Sequence, residues 1–217
     1  MYNDLISSFL EHRDQKKADK MAAYMKNKFP FLGICKPQRA ILQKEFIKKV
    51  KKEKLIDWNF IFMLWEMPER EFQYLILDYM TALRHCLHKK DMDNIRTLII
   101  TKSWWDTVDT FAVSITGVLC LNYLELIESH ILKWAESDNT WLVRTAILFQ
   151  LKYKEKTDTE LLRLIITKNS NTKEFFINKA IGWSLREYSK TNREWVKKFI
   201  ENNALHSLSV REGSKYL

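Results

Sequence analysis

Apolar side chains recur every three or four residues along nearly the whole chain, the spacing that puts them on one side of a helix. Polar or proline-bearing breaks divide this pattern and predict helices over 2–12, 14–28, 37–54, 57–66, 69–88, 91–101, 104–118, 121–136, 139–153, 157–168, 172–189, 191–202 and 206–214. Asp57, Asp91, Ser103, Asp138, Thr157 and Asn171 each stand just before an apolar-periodic run, where a short oxygen-bearing side chain can take up a free helix N–H. Pro37 suits a first helical turn, and Pro30 and Pro68 mark breaks. No long linker interrupts residues 1–217, so the pattern predicts one domain. Short helices joined by short turns are the mark of an α-solenoid, with an irregular helical bundle as the alternative. Trp105, Trp141 and Trp183 recur at spacings of 36 and 42, and Trp141-Leu-Val-Arg144 is echoed by Trp183-Ser-Leu-Arg186. That echo favours tandem HEAT-like repeats, whose period is about 40.

Composition narrows the picture. Four Gly and three Pro among 217 residues leave too few turn-formers for a β sandwich or barrel. Gly33, Gly117, Gly182 and Gly213 stand too far apart to build a phosphate loop. A hydrophobic content of 46% is ample for a core and excludes disorder. Cys35, Cys86 and Cys120 lack any framework spacing, the N-terminal region carries Asp4, Glu11 and Asp14, and the longest apolar run (112–121) is about half a membrane span. The expectation is a cytoplasmic protein with no membrane contact. The net charge of +9 favours polyanionic partners.

Three segments could carry chemistry. In Ser103-Trp-Trp-Asp-Thr-Val-Asp109, a helix would place Trp105, Asp109 and Ala112 on one face. A carboxylate one turn from an indole is an odd core neighbour, because an unpaired buried charge is costly. Either Trp105 is core and Asp109 pairs with an arginine, or an aromatic wall and a carboxylate face a cleft. In Asn139-Thr-Trp-Leu-Val-Arg144, the arginine can pair with a carboxylate of the neighbouring repeat or fork onto a phosphate. Phe175-Phe176 and Gly182-Trp183-Ser-Leu-Arg186-Glu-Tyr188 offer a further indole one repeat along, or simple helix packing. Indoles attract cations, and a carboxylate stabilises an oxocarbenium-like sugar and can orient water. Lysines and arginines crowd 144–190, including Lys152 and Arg186; a second basic run, 36–54, reads as a solvated helix face. His85-Cys86-Leu-His88 has no second ligand pair, so neither a metal nor any other cofactor is expected. Glu66 and Glu69–Glu71 read as helix ends around Pro68.

Taken together, Lys102-Ser-Trp-Trp-Asp-Thr-Val-Asp109, Trp141-Leu-Val-Arg144, Ile181-Gly-Trp183-Ser-Leu-Arg-Glu-Tyr188 and the closing Leu208-Ser-Val-Arg-Glu-Gly-Ser-Lys215 resemble the DNA alkylation repair family, the AlkD-like DNA glycosylases. The resemblance runs over nearly the whole chain and is looser in the N-terminal third. It implies an all-α solenoid of HEAT-like helix pairs whose concave basic face holds duplex DNA. It also implies a monofunctional enzyme, acting as a monomer, that excises cationic N3- and N7-alkylated purines with no metal and no lyase activity. Carried over by motif, Asp109 is the catalytic carboxylate, Trp105 and Trp183 flank the deoxyribose, and Arg144 holds the DNA backbone. Tyr24, Phe175 and Phe176 match cleft aromatics, and Lys152 and Arg186 contribute to DNA binding. The competing expectation is a non-catalytic scaffold that binds nucleic acid or protein.

Overall fold

The structure, a computed structural model, describes residues 2–217. The fold is all-α, and no strand occurs among the described residues. The chain divides into two compact units, one ending at Leu87 and one spanning His88–Leu217.

The first unit contains α1 (Tyr2–Glu11), α2 (Gln15–Tyr24), α3 (Lys36–Leu42), α4 (Lys44–Glu53), α5 (Trp58–Glu66) and α6 (Arg70–Ala82). The expected helix 37–54 is broken at Gln43, whose backbone (φ −92°, ψ −1°) ends α3 and starts α4 while its side-chain amide donates to Asp78 at 2.8 Å. Asp57 caps α5 as expected, accepting from the Phe60 N–H. Glu66 ends α5, Glu69 precedes α6 and Glu71 lies in the first turn of α6, as expected, but Glu71 does more than mark a helix end. It is fully buried in α6, and its two oxygens accept the N–H groups of Leu32, Gly33 and Ile34 at 2.8–3.0 Å. A buried carboxylate met by three aligned amides satisfies a charge that would otherwise be expensive to bury. The same loop needs Gly33, at φ +91°, where a Cβ would lie 2.1 Å from the Asp14 carbonyl.

The second unit contains α7 (Met92–Ile100), α8 (Trp105–Thr110) and α9 (Gly117–Asn122), which a wide π turn over Phe111–Thr116 joins into one continuous helix. Then come a second π turn (Ile127–Ile131) running into α10 (Leu132–Ala135), α11 (Thr140–Leu148), α12 (Thr159–Lys168), α13 (Phe175–Tyr188), α14 (Arg193–Asn202) and α15 (Ser207–Gly213). The π turn after α8 is defined by the Gly117 N–H, which donates to the carbonyl of Ala112 five residues back. Gly117 also lets a neighbouring backbone approach: an added Cβ would sit 2.3 Å from the Phe149 carbonyl, and the Tyr153 hydroxyl donates to the Gly117 carbonyl.

Several expected caps are displaced by one or more residues. Asn139, not Asp138, caps α11 by accepting from Trp141 and Leu142, and Asp158, not Thr157, caps α12. The Ser103 hydroxyl donates backwards to the Ile99 carbonyl at the end of α7, and the residue before α8 is Trp104. The Asp91 carboxylate accepts from the His88 N–H rather than from α7. Asn171 caps nothing, since α13 begins only at Phe175.

A repeat is visible in the bonds themselves. Within the second unit, His88 to Tyr123, Lys89 to Glu125, Asp109 to Arg144, Gly117 to Tyr153 and Lys152 to Glu187 are joined across 35 or 36 residues. Each element thus meets its counterpart one step along the chain, as stacked supersecondary units do.

Candidate functional site

The site is built on α8, α11 and α13, all in the second unit. Asp109 lies on the last turn of α8, one turn after Trp105, and both side chains are partly buried. Arg144 lies on α11, whose Asn139 cap fixes where the helix begins. The two meet as a fork: Nε of Arg144 donates to Oδ1 of Asp109 at 2.7 Å and Nη2 to Oδ2 at 2.9 Å. Nη1 donates to the Phe176 carbonyl of α13 at 2.6 Å, so one guanidinium ties three helices together. Arg144 is buried, whereas the Asp109 side chain keeps 16% of its surface open.

Burial pushes the Asp109 carboxyl above its ordinary value, the bidentate guanidinium pulls against that, and nearby Asp106 adds a smaller upward push. The result is a largely desolvated carboxyl whose net shift is upward, with the guanidinium favouring its ionised form against burial. Of the five N–H donors of Arg144, three are already engaged. A DNA phosphate would have to use the remaining two.

Beside the pair stands an aromatic group. The rings of Trp104, Trp141 and Phe176 lie within 4.9–5.7 Å of one another, and Phe175, 56% exposed, meets Phe176 edge-on at 5.3 Å. Trp141 was marked by the sequence as a repeat position, whereas Trp104, beside Trp105 in the same motif, was not singled out. Trp104 precedes α8 in extended backbone (φ −157°, ψ 163°), so it belongs to no helix face. The signal available was their spacing: Trp104, Trp141 and Phe176 are 37 and 35 residues apart, close to the step seen in the hydrogen bonds.

Trp183 is partly buried on α13, seven residues after Phe176 and therefore on the same stripe of that helix. Arg186 is also on this stripe, and its Nη1 donates to Glu212 at 2.6 Å. Lys152 is bound to Glu187 at 2.7 Å and remains more than half exposed. Tyr24 belongs to the first unit, where it is 69% exposed at the end of α2 and lines a cavity of about 220 Å³ with Met21, Phe31 and Tyr74. Glu212 was absent from the sequence-based site. The described residues contain no cluster of three His, Cys, Asp or Glu able to hold a metal, and no helix long and apolar enough to cross a membrane.

Comparison with known proteins gives the family and the fold. The family model described as DNA alkylation repair enzyme matches residues 5–217. Among solved structures, one similar chain is described as a predicted DNA alkylation repair enzyme from Enterococcus faecalis. It is 37% identical, with a TM-score of 0.87, over 95% of this chain and 97% of that one. No curated protein matches.

Proposed function

The chain belongs to the DNA alkylation repair enzyme family, and from that premise we propose that it is a monofunctional glycosylase acting on N3- and N7-alkylated purines in duplex DNA. Alkylation at these nitrogens leaves the purine positively charged. When the bond from C1′ to the purine nitrogen breaks, its electron pair neutralises that charge, so no general acid is needed. The sugar is left as an oxocarbenium-like cation. Asp109 faces that charge and orients the water whose oxygen bonds to C1′ and whose proton passes to the carboxylate or to solvent. Trp105 and Trp183 flank the deoxyribose, their π faces favouring the cation. Arg144 keeps Asp109 ionised and aimed, and Lys152, Arg186, Phe175 and Tyr24 meet the DNA.

The observation that carries the reading is the bidentate Arg144–Asp109 pair, which leaves a partly open carboxylate one helical turn from Trp105 on a basic protein. The pairing alone would also serve a structural role, tying three helices; the open face of the carboxylate and the family's repair chemistry favour the catalytic reading. The reading is tested by incubating methylated duplex DNA with the protein and chelator and analysing free bases and strand breaks. Release of 3-methyladenine or 7-methylguanine that leaves intact abasic sites is expected. Absence of release, or strand incision without alkali, contradicts it.

A further inference from the structure

One carboxylate in the second unit gathers more cations than any packing role requires. Glu212, on α15, has only 6% of its side chain exposed. It binds Lys179 at 2.9 Å, Arg186 at 2.6 Å and Lys215 at 2.9 Å. Two of these cations stand on α13. Lys179, Trp183 and Arg186 follow Phe176 at intervals of three, four and three residues and form one stripe of that helix. The stripe therefore carries the indole assigned to the deoxyribose together with two cations that share Glu212.

Docking of α15 does not rest on this charge alone. Its backbone seats on α13 because Gly182 has no side chain: a Cβ there would fall 2.5 Å from the Cβ of Glu212 and 3.0 Å from the Ser209 carbonyl. Ser209, fully buried, donates to Asn178. Asn178 in turn donates to the carbonyls of Thr172 and Glu174 and fixes the start of α13. Steric fit and neutral hydrogen bonds thus hold the helices together. The ionised carboxyl adds to this and does something further: it fixes two long cationic side chains at set positions on either side of Trp183 in the sequence of α13. Lys179 and Lys215, against the opposing effect of burial, hold its pKa at about 2, so it stays charged wherever DNA is handled.

We propose that Glu212 is a positioning residue for the glycosylase site, ordering Lys179 and Arg186 around Trp183 so that the backbone of damaged DNA meets a preformed ledge of net positive charge. This rests on the glycosylase reading and extends it to a residue that touches no reacting atom. Three cations around one anion leave two positive charges to face phosphate. Their order is provided in advance rather than at the moment of binding.

The proposal separates from simple electrostatics in the Glu212→Gln variant. Losing a negative charge makes the surface more basic, so undamaged duplex is expected to bind as tightly as to wild type, or up to tenfold tighter at low salt. Single-turnover excision from a duplex with one 7-methylguanine is nevertheless expected to fall at least tenfold, and Glu212→Asp to recover part of the loss. The indole N–H resonance of Trp183, assigned by its loss in Trp183→Phe, is expected to shift in Glu212→Gln. Excision within twofold of wild type, an unmoved Trp183 resonance, or a rate that falls only with the folded fraction overturns the proposal. If Glu212→Gln does not fold, Glu212→Asp, which keeps the charge on a shorter arm, is expected to bind undamaged duplex as wild type does while excising more slowly and shifting the Trp183 resonance, and wild-type excision with an unmoved resonance overturns the proposal. Failure of the wild type to release any base would defeat the glycosylase reading, and the Trp183 resonance would then decide the role of Glu212 alone.

Discussion

Arg144 grips both carboxylate oxygens of Asp109 from 35 residues away in sequence, at 2.7 and 2.9 Å. The planar fork suits a carboxylate in a way a lysine could not reproduce, and it holds the acid both charged and in one orientation. A basic residue this close usually means a carboxyl that is easy to ionise. Here burial outweighs it, and Asp109 sits above its ordinary pKa of 3.8.

That balance predicts a pH profile. Activity needs the ionised carboxyl, so kcat/KM rises with pH through a limb above 3.8. Arg144→Met removes the opposing pull, and the limb moves up by about 1–3 pH units. Breaking a buried pair from one side also lowers stability, by about 3–5 kcal/mol, readable by denaturant titration. A limb that stays in place would show that the group titrating in the profile is not Asp109.

Glu212 predicts the opposite sign in a stability measurement. Its pKa is held at about 2, below the ordinary 4.5. Its contribution is therefore fully present above about 4.5 and is lost as pH falls from there through 2. Melting temperatures of wild type and Glu212→Gln are expected to differ most at neutral pH and to converge towards pH 2. A constant gap across that range contradicts the assignment.

Phe175 and Gly117 separate surface function from packing. Phe175 is 56% exposed, so Phe175→Ala changes stability by less than about 0.5 kcal/mol while weakening duplex binding several-fold. Gly117→Ala forces a methyl group to within 2.3 Å of the Phe149 carbonyl. That backbone cannot turn aside, so the variant is expected to lose about 1–3 kcal/mol.

These examples show what the sequence could and could not reveal. Helical content, the repeat step and the Trp105, Asp109, Arg144 and Trp183 motifs follow from periodicity and spacing, because each side chain's place is set by its own helix. The partner of Arg144 was left open between a carboxylate and a phosphate, since periodicity gives a face but not what lies opposite. Trp104 escaped because it precedes α8, and Glu212 because its meaning lies in cations 26 and 33 residues upstream on another helix. The π turn over Phe111–Thr116 has no local signal that distinguishes it from a regular helix. Glu71 is the helix-end residue the sequence suggested, but its burial was not legible, because only the folded loop at Gly33 supplies the three amides that justify it.

The basic surface was legible as a charge count but not in its organisation. Lys152 and Lys190 share Glu187, and Lys179, Arg186 and Lys215 share Glu212. Because Lys152 is paired yet more than half exposed, Lys152→Ala is expected to weaken binding to all duplexes alike and to make the plot of log affinity against log salt shallower by about one unit. Titrations of damaged and undamaged duplex over a salt series would check this. A change confined to damaged duplex contradicts a backbone role.

The most direct test of the account compares wild type with Asp109→Asn in single-turnover release of 7-methylguanine, with duplex affinity measured in parallel. Asparagine keeps the shape and loses the charge. The account predicts unchanged or tighter DNA binding, because one negative charge is removed from a basic surface, together with a fall in release of at least a hundredfold. Release by Asp109→Asn at the wild-type rate, with binding intact, would contradict the claim that this carboxylate carries the chemistry.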